Sequence, residues 1–270
     1  MISKGMERMH TNFTPQEMIV VAGSRVLENN KVIFAGTGLP MVAITLAQFT
    51  HAPGIIPVFE AGAVGPTLDR GLPLSVGCSR TTSKASYLQG LNTAFELTQR
   101  GFCDFGFIGG AEIDPYGNLN STMMGQFPEE YQKPQLRLPG SGGASDMAAS
   151  CERTIIIMAH ERRRFVEKLQ YLTSPGYLDG SEGARRRAGL VGQGPYRVIT
   201  TKALLGFDEK THRMKLIATM PGETVESVQQ NTGFELLVDE KVYEFAPPTV
   251  EELRLIREEI DPRGYFIKRK

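Results

Sequence analysis

The chain has 270 residues, of which 41% are hydrophobic and 22% are charged, a composition typical of an ordinary globular protein. Its 30 Lys and Arg residues balance its 30 Asp and Glu residues, so the overall charge gives no reason to expect nucleic acid as a partner. No apolar run approaches the roughly 20 residues needed to cross a bilayer, and the first residues lack the apolar core of a secretory signal.

The first half of the chain alternates predicted helices and strands. Thr14-Pro15-Gln16-Glu17 is typical of a helix start, with Thr14 as N-cap and Glu17 closing a capping box. The elements that follow are a strand over 31–35, a turn at 36–38, a helix from near Pro40, a strand over 55–59 and a helix over 85–100.

The second half continues the alternation with weaker helical signals. Thr249-Val250-Glu251-Glu252 repeats the capping-box pattern and predicts a final amphipathic helix through Ile260. Before it we predict strands over 105–108, 154–159 and 213–219, and an irregular loop over 174–196.

Apolar strands that alternate with helices predict an α/β fold, with an open, mostly parallel sheet and helices on both faces. No Pro/Ser-rich linker divides the chain, so we predict one domain over residues 13–270 after a flexible segment at 1–12. Ligand sites in such sheets gather at the carboxyl ends of the strands. Because Glu60 and Gly109 both follow predicted strands, we expect them at the same edge of the sheet.

The cysteines and histidines indicate neither a disulfide framework nor a metal site. Three cysteines, far apart and odd in number, favour a reducing, cytoplasmic location. The histidines show no metal-ligand spacing among themselves or with the cysteines, so we predict no bound metal. These residues are Cys78, Cys103, Cys151, His10, His51, His160 and His212.

Glu60 is the first candidate functional residue, because it ends an apolar run and precedes a turn in Phe59-Glu60-Ala61-Gly62. Burial at that point disfavours an unpaired charge, so one interpretation is a structural carboxylate that caps a turn or pairs with an arginine. The Gly-rich segment 139–146 favours a reactive carboxylate instead. Backbone of this kind can approach a reacting carbonyl closely and donate N–H groups to an oxyanion, although it also suits a tight loop.

Several ordered segments together resemble the β subunits of family I CoA-transferases, most closely the glutaconate CoA-transferases. The resemblance runs from about residue 12 to the C-terminus. In that family the glutamate of a Glu-Ser-Gly motif is the catalytic nucleophile; it falls here on Glu60, with Ala61 in place of the serine. The segments that carry the resemblance are Gly36-Thr37-Gly38-Leu39-Pro40 and residues 109–121, 139–146, 160–165, 173–176 and 258–262.

The resemblance implies an enzyme that moves CoA between short dicarboxylic acids such as glutaconate. Glu60 would form an acyl-glutamyl anhydride and then a glutamyl-CoA thioester, with Gly142 and Gly143 as the candidate oxyanion donors. It also implies the fold shared with certain sugar-phosphate isomerases, no permanently bound cofactor, and coenzyme A as substrate. The implied partner is an α subunit, in a heterotetramer (α2β2) or a larger assembly.

Further residues are candidates for binding CoA or substrate, each with a structural alternative. Glycine pairs of this kind are most often strand-to-helix turns, and the asparagines follow an ordinary turn signature. The basic triplets at 162–164 and 185–187 fit solvated surface or the phosphates of CoA. The binding candidates are Gly36, Thr37, Gly38, Gly109, Gly110, Asn118 and Asn120.

Two other functions remain open at this point. Related chains resemble acyl-CoA decarboxylases and ring-opening acyl-CoA hydrolases, which replace or relocate the nucleophilic carboxylate; the retained Glu60 disfavours them. A non-catalytic ligand-binding module is the more distant alternative. Regulators with this kind of fold carry an added DNA-binding segment, and the short polar start of this chain leaves no room for one.

Overall fold

The computed structural model describes residues 12–68 and 71–268. The flexible segment predicted at 1–12 therefore lies outside the described residues, apart from Asn12. No helix within the described ranges is long and apolar enough to span a membrane.

The described residues form helices and strands, with several strands following one another between α3 and α4 and between α5 and α6. The helices are α1 (Pro15–Arg25), α2 (Leu39–Phe49), α3 (Leu91–Gln99), α4 (Ala144–Ser150), α5 (Ala184–Arg187), α6 (Val225–Gln230) and α7 (Val250–Arg254), which continues as a π-helical turn (Leu255–Ile260). The strands are β1 (Val32–Ala35), β2 (Ile56–Phe59), β3 (Ala63–Val64), β4 (Tyr87–Leu88), β5 (Phe105–Ile108), β6 (Glu112–Ile113), β7 (Leu119–Asn120), β8 (Met123–Met124), β9 (Leu136–Arg137), β10 (Arg153–Met158), β11 (Pro195–Thr200), β12 (Ala203–Phe207), β13 (Met214–Thr219) and β14 (Leu237–Glu244).

A 10-stranded sheet organises the molecule, in the order β14-β13-β12-β11-β10-β5-β1-β2-β3-β4. Its centre, from β11 to β2, is parallel, while β12 and β3 pair with it antiparallel on the two sides, and the outermost pair β13 and β14 is parallel again. Successive residues of a strand point to opposite faces, and in β1 Ile33 and Ala35 enter one hydrophobic core while Phe34 enters the other. Helices α1 and α2 cover the first face and α3 and α4 the second, which confirms the predicted α/β fold.

Both predicted capping boxes are present, and their glutamates also link the first helix to the last. Thr14 and Glu17 cap α1, and Thr249 and Glu252 cap α7. Each capping glutamate also pairs with an arginine of the other helix: Glu17 with Arg257 at 2.7 Å and Glu252 with Arg25 at 2.7 Å. The two capping glutamates, which local sequence patterns predict, therefore also stabilise a contact between helices that are far apart in the chain.

The helix predicted over 85–100 is wrong in its first part. Residues 87 and 88 form the outer strand β4 because Ser86 and Gln89 donate backbone hydrogen bonds to Val64 and Gly62, and α3 begins only at Leu91. The loop predicted over 174–196 is also only partly right. It contains the short α5 and ends in β11, where Pro195 stands at the first strand position, the one that tolerates proline.

His160 is a buried histidine whose neutral form the fold favours. Its ring stacks on Phe165 with centroids 4.1 Å apart, and its two nitrogens lie 2.9 Å and 3.0 Å from the hydroxyls of Thr200 and Thr232. Burial, with a smaller effect of the Lys202 charge, lowers the pKa of His160 from 6.5 to about 4. The unfolded chain, with its ordinary pKa, therefore binds more protons between pH 6.5 and 4.

We expect the free energy of unfolding to fall by about 3 kcal/mol as the pH drops through this window, because protonation favours the unfolded chain. Urea unfolding of the wild type and of His160→Gln between pH 7 and pH 4 measures the effect. The variant should be less stable at pH 7 and should lose less stability on acidification. Equal pH slopes for the two proteins would contradict the assignment to His160.

Candidate active site

Glu60 occupies a tight turn at the carboxyl end of β2. The backbone N–H of Gly62 donates to the carbonyl of Phe59 at 2.8 Å, so Glu60 and Ala61 are the central residues of the turn into β3. Gly62 has a φ of +110°, and a Cβ there would lie 1.9 Å from the carbonyl oxygen of Gln89, so only glycine fits. The turn thus projects the half-buried Glu60 side chain from the edge of the sheet.

An open cavity of about 420 Å³ lies in front of this carboxylate. Helix α3 forms one wall, and the loop into α4 forms another. The loop supplies Gly142 and Gly143, the two predicted oxyanion donors, so the structure brings all three predicted catalytic residues together. The lining residues are Glu60, Leu91, Asn92, Phe95, Glu96, Gln99, Gly142, Gly143 and Asp146.

Gly143 lies against both Glu60 and the aromatic wall of the cavity. A Cβ at this position would be 3.3 Å from Oε1 of Glu60 and 2.5 Å from Cζ of Phe95. Phe95 cannot easily yield, because its ring packs on Phe34 of the core with centroids 5.3 Å apart. The absence of a side chain at Gly143 is therefore what lets the loop reach the carboxylate.

The Glu60 carboxylate and two N–H groups of the glycine loop have no hydrogen-bond partner within the described ranges. Among the residues that the structure describes, the Glu60 carboxylate accepts no hydrogen bond and forms no ion pair. The backbone N–H groups of Gly142 and Gly143 likewise find no acceptor in those ranges. Among the described residues Glu60 therefore neither pairs with an arginine nor caps its turn through a side-chain hydrogen bond, and a carboxylate beside free N–H groups is an arrangement that suits nucleophilic attack.

The glycine-rich turns predicted to bind CoA lie at the same edge of the sheet but outside this cavity. Strands β2, β1 and β5 are parallel neighbours, and Glu60, residues 36–38 and residues 109–110 follow their respective carboxyl ends. Gly38 is the N-cap of α2 with a φ of +100°, and Thr37 and Gly109 are exposed. The expectation that Glu60 and Gly109 share an edge is confirmed.

Asn118 is not brought to the cavity. It is buried, and its side-chain amide makes four hydrogen bonds, donating to Asp114 and the Leu178 carbonyl and accepting from the backbone of Gly176 and Leu178. Because an amide side chain can make four such bonds, a direct substrate contact by Asn118 would require breaking one of them.

Asn120 also lies away from the cavity, and the hydrogen-bonding groups of its side-chain amide are likewise all used. Its amide donates to the Glu112 carboxylate and the Met123 carbonyl, each at 2.7 Å, and accepts from the backbone of Thr122 and Met123. With four hydrogen bonds already made, Asn120 holds its own loop in place and has no free group for a substrate.

Phe95, Glu96 and Asp146 line the cavity without having been singled out from the sequence. Asp146 belongs to the glycine-rich segment 139–146, so its position near Gly143 could have been inferred from the chain alone. Phe95 and Glu96 lie on α3, and only the packing of that helix beside β1 brings them to Glu60.

A comparison with known protein families shows which family the chain belongs to. A model of the family described as Coenzyme A transferase matches residues 16–231. The chain belongs to this family. It is 41% identical over 266 residues to the β subunit of glutaconate CoA-transferase of Acidaminococcus fermentans, covering 96% of this chain and 97% of that protein.

Two further matches agree with this membership. The β subunit of the 3-oxoadipate CoA-transferase of Pseudomonas knackmussii is 37% identical over 248 residues, with 91% of this chain and 92% of that protein covered. The crystal structure of glutaconate coenzyme A-transferase from Acidaminococcus fermentans superposes with a TM-score of 0.88 at 40% identity, covering 97% of this chain and 100% of that chain. The predicted resemblance to CoA-transferase β subunits is confirmed.

Proposed function

We propose that Glu60 is the nucleophile of an acyl-CoA:carboxylate CoA-transferase in which this chain is the β subunit. The observation that carries the proposal is the geometry at Gly143, where a Cβ would lie 3.3 Å from Oε1 of Glu60. A loop with two N–H groups that have no acceptor among the described residues therefore adjoins a carboxylate that is unpaired among those residues. Nothing in this arrangement requires a resident cofactor; coenzyme A enters as substrate and becomes the covalently bound intermediate.

The reaction proceeds by covalent exchange on Glu60. A carboxylate oxygen attacks the thioester carbonyl of the acyl-CoA, the C–S bond breaks, and CoA leaves as its thiolate. The thiolate then attacks the glutamyl carbonyl of the anhydride, the C–O bond breaks, and the first acid leaves as its carboxylate. A second carboxylate reverses these steps and departs as the new acyl-CoA. Both nucleophiles are already anionic, so no external base is needed.

Gly142 and Gly143 have the role of stabilising the oxyanion that forms at each addition. Backbone donors suit this task because they are fixed before the reaction, and loss of one such donor typically lowers the rate ~10²–10³-fold. Asn118 and Asn120 contribute by holding the adjacent loops. The residues then available for CoA along the same sheet edge are Gly36, Thr37, Gly38, Gly109 and Gly110.

The proposed substrates are short dicarboxylic acids and their CoA esters. Glutaconate and 3-oxoadipate, the acids named for the two relatives above, both carry a second carboxylate. Each relative is named as one subunit of its enzyme, which supports a partner subunit for this chain. We propose that this partner is an α subunit and that the assembly is α2β2 or larger. We also propose a cytoplasmic location, because three free cysteines suit a reducing compartment.

A trapping experiment tests the proposal. The complex with its α subunit is incubated with glutaryl-CoA and no acceptor acid, and the intact mass of this chain is recorded. We expect a mass increase of CoA less water on the Glu60 peptide. The increase should be absent in Glu60→Ala and retained in Glu96→Gln, which removes another carboxylate of the same cavity. Release of CO₂ or of free acid without an adduct would instead indicate a decarboxylase or a hydrolase.

A further inference from the structure

The two basic triplets of the sequence differ in how their charges are compensated. In the triplet at 162–164, Arg163 forms an ion pair with Glu161 at 2.6 Å. In the triplet at 185–187, Arg185 is buried, and its guanidinium donates to backbone carbonyls but to no carboxylate of the described residues. A carbonyl has no net charge, and a buried cation without an anionic partner is costly. The fold therefore keeps an uncompensated positive charge at this point.

Two further arginines, Arg153 and Arg197, lie over the ring of Tyr196 near this buried charge. Their Cζ atoms are 5.1 Å and 3.9 Å from the ring centroid, and neither forms an ion pair within the described ranges. Burial raises the pKa of the Tyr177 phenol, and the charges of Arg185 and of these two arginines oppose that rise. Three like charges therefore surround one phenol without a carboxylate partner.

A cavity of about 380 Å³ opens between these side chains, and we call it the arginine cavity. Arg153, Arg197, Tyr177 and Tyr196 line it, and Glu209 is the one acidic side chain among its described lining residues. Because Glu209 is exposed and the two arginines are half-buried, the lining favours an anion inside the cavity.

Both arginines keep donors for a ligand. Arg153 donates through Nε to Gln193 at 3.3 Å, and Arg197 donates through Nη1 to the Tyr196 carbonyl at 2.9 Å. The nearby carboxylate of Glu152 accepts from Gln193 and pairs with neither arginine. The terminal nitrogens of Arg153 and Nη2 of Arg197 thus have no acceptor in the part of the chain that the structure describes. Such guanidinium groups match the oxygens of a phosphate two at a time.

The arginine cavity is separate from the cavity of the proposed nucleophile. Arg153 begins β10 and is level with Phe105, the first residue of β5, whereas Glu60 follows the carboxyl end of β2. Strands β5 and β1 lie between β10 and β2, and neighbouring strands are ~4.8 Å apart, so ~14 Å of sheet separates the two places. No residue lines both cavities among those described.

We propose that the arginine cavity binds the diphosphate group of a phosphorylated small molecule, at a site distinct from the Glu60 cavity. Two guanidinium groups with free N–H donors suit a ligand with several anionic oxygens, and the adjacent charge of Arg185 favours a multivalent one. A single carboxylate would leave this positive charge partly unneutralised, whereas a phosphoryl group brings more than one negative charge at neutral pH. The inference goes beyond the proposed function and does not depend on it.

Calorimetric titration of inorganic pyrophosphate tests the site. Pyrophosphate is titrated at fixed ionic strength onto the complex with the α subunit, which carries the wild-type chain, Arg153→Gln/Arg197→Gln or the control Arg100→Gln/Arg137→Gln. The control removes the same charge from two arginines that also lie over aromatic rings but outside this cavity. We expect the first double variant to bind at least ~10-fold more weakly and the control to stay within ~3-fold of the wild type.

Two further measurements define the ligand. Arg153→Lys/Arg197→Lys keeps the charges but not the planar fork of donors, so it should bind pyrophosphate with intermediate affinity. Titration with ADP distinguishes the sources of the diphosphate group. A dissociation constant equal to that of pyrophosphate supports recognition of the diphosphate alone, and one at least ~10-fold lower supports a nucleotide.

Three results would overturn the inference. They are the absence of saturable pyrophosphate binding to the wild type, equal weakening in both glutamine variants, and a KM for acyl-CoA raised at least ~10-fold in Arg153→Gln/Arg197→Gln. The last would make the cavity part of the CoA site, whereas we expect that KM to stay within ~3-fold. Melting temperatures show that the variants fold, and the lysine variant decides if the glutamine variant does not.

Discussion

Replacing Glu60 by glutamine is expected to lower kcat for CoA transfer at least ~10⁴-fold, the scale seen when a covalent nucleophile is removed. Glutamine keeps the shape of the side chain in the turn after β2 but offers no anionic oxygen. Without the anhydride, the free energy of the thioester bond cannot be passed on to a new acyl-CoA formed from a second acid. Steady-state transfer between glutaryl-CoA and acetate, with the α subunit present, measures the loss.

The matched control for this substitution is Glu96→Gln, which removes a second carboxylate from the same cavity. It should keep kcat within ~10-fold of the wild type, because nothing places Glu96 at the reacting bond. The dissociation constant for free CoA should not rise in Glu60→Gln, since the substitution keeps the volume of the site and removes a negative charge that repels an anionic ligand. A Glu60→Gln enzyme with wild-type turnover would rule out the covalent mechanism.

Local sequence signals predicted the parts of the fold that depend on nearby residues. The capping boxes at Thr14 and Thr249 identify two helix starts because their hydrogen bonds span only three residues. Glu60 followed by Gly62 similarly identifies a turn at a strand end. The loop at 142–143, its proposed catalytic partner, is connected to it by family resemblance, since no local rule joins residues so far apart in the chain.

The parts that could not be predicted depend on distant pairing. Tyr87 and Leu88 form a strand only because β3 lies beside them, and their local sequence is equally compatible with the start of α3. The Asn118 amide uses all of its hydrogen-bonding groups partly because of Leu178, 60 residues away. The Leu178 N–H donates to the amide oxygen, and the Leu178 carbonyl accepts from the amide nitrogen. A turn signature around Asn118 does not reveal whether its amide faces a ligand or another loop.

Substitution of Gly143 by alanine is expected to lower kcat ~10²–10³-fold, with a smaller change in KM, because it displaces the proposed oxyanion donors. The new Cβ would lie 2.5 Å from Cζ and 2.8 Å from Cε1 of Phe95, distances that real side chains do not tolerate. Since Phe95 is held by Phe34, the loop must retreat from Glu60. The backbone N–H groups are still present in Gly143→Ala, so the loss of kcat measures the effect of their displacement.

Gly142→Ala is the matched control for this prediction. Gly142 has a φ of +49°, and a Cβ there meets no atom within 4 Å. The substitution therefore costs only about 1 kcal/mol of backbone strain and should keep kcat within ~10-fold.

A second substitution that relieves the clash between residue 143 and Phe95 provides the decisive comparison. Phe95→Leu shortens the obstructing ring, so kcat of Gly143→Ala/Phe95→Leu should return toward that of Phe95→Leu alone. Such recovery would show that the clash with Phe95, and not the loss of the glycine itself, causes the defect, because the double variant still lacks the glycine. A Gly143→Ala enzyme with unchanged kcat would show that the oxyanion is stabilised by groups other than this loop, and a double variant with no recovery would show that the clash with Phe95 does not cause the loss.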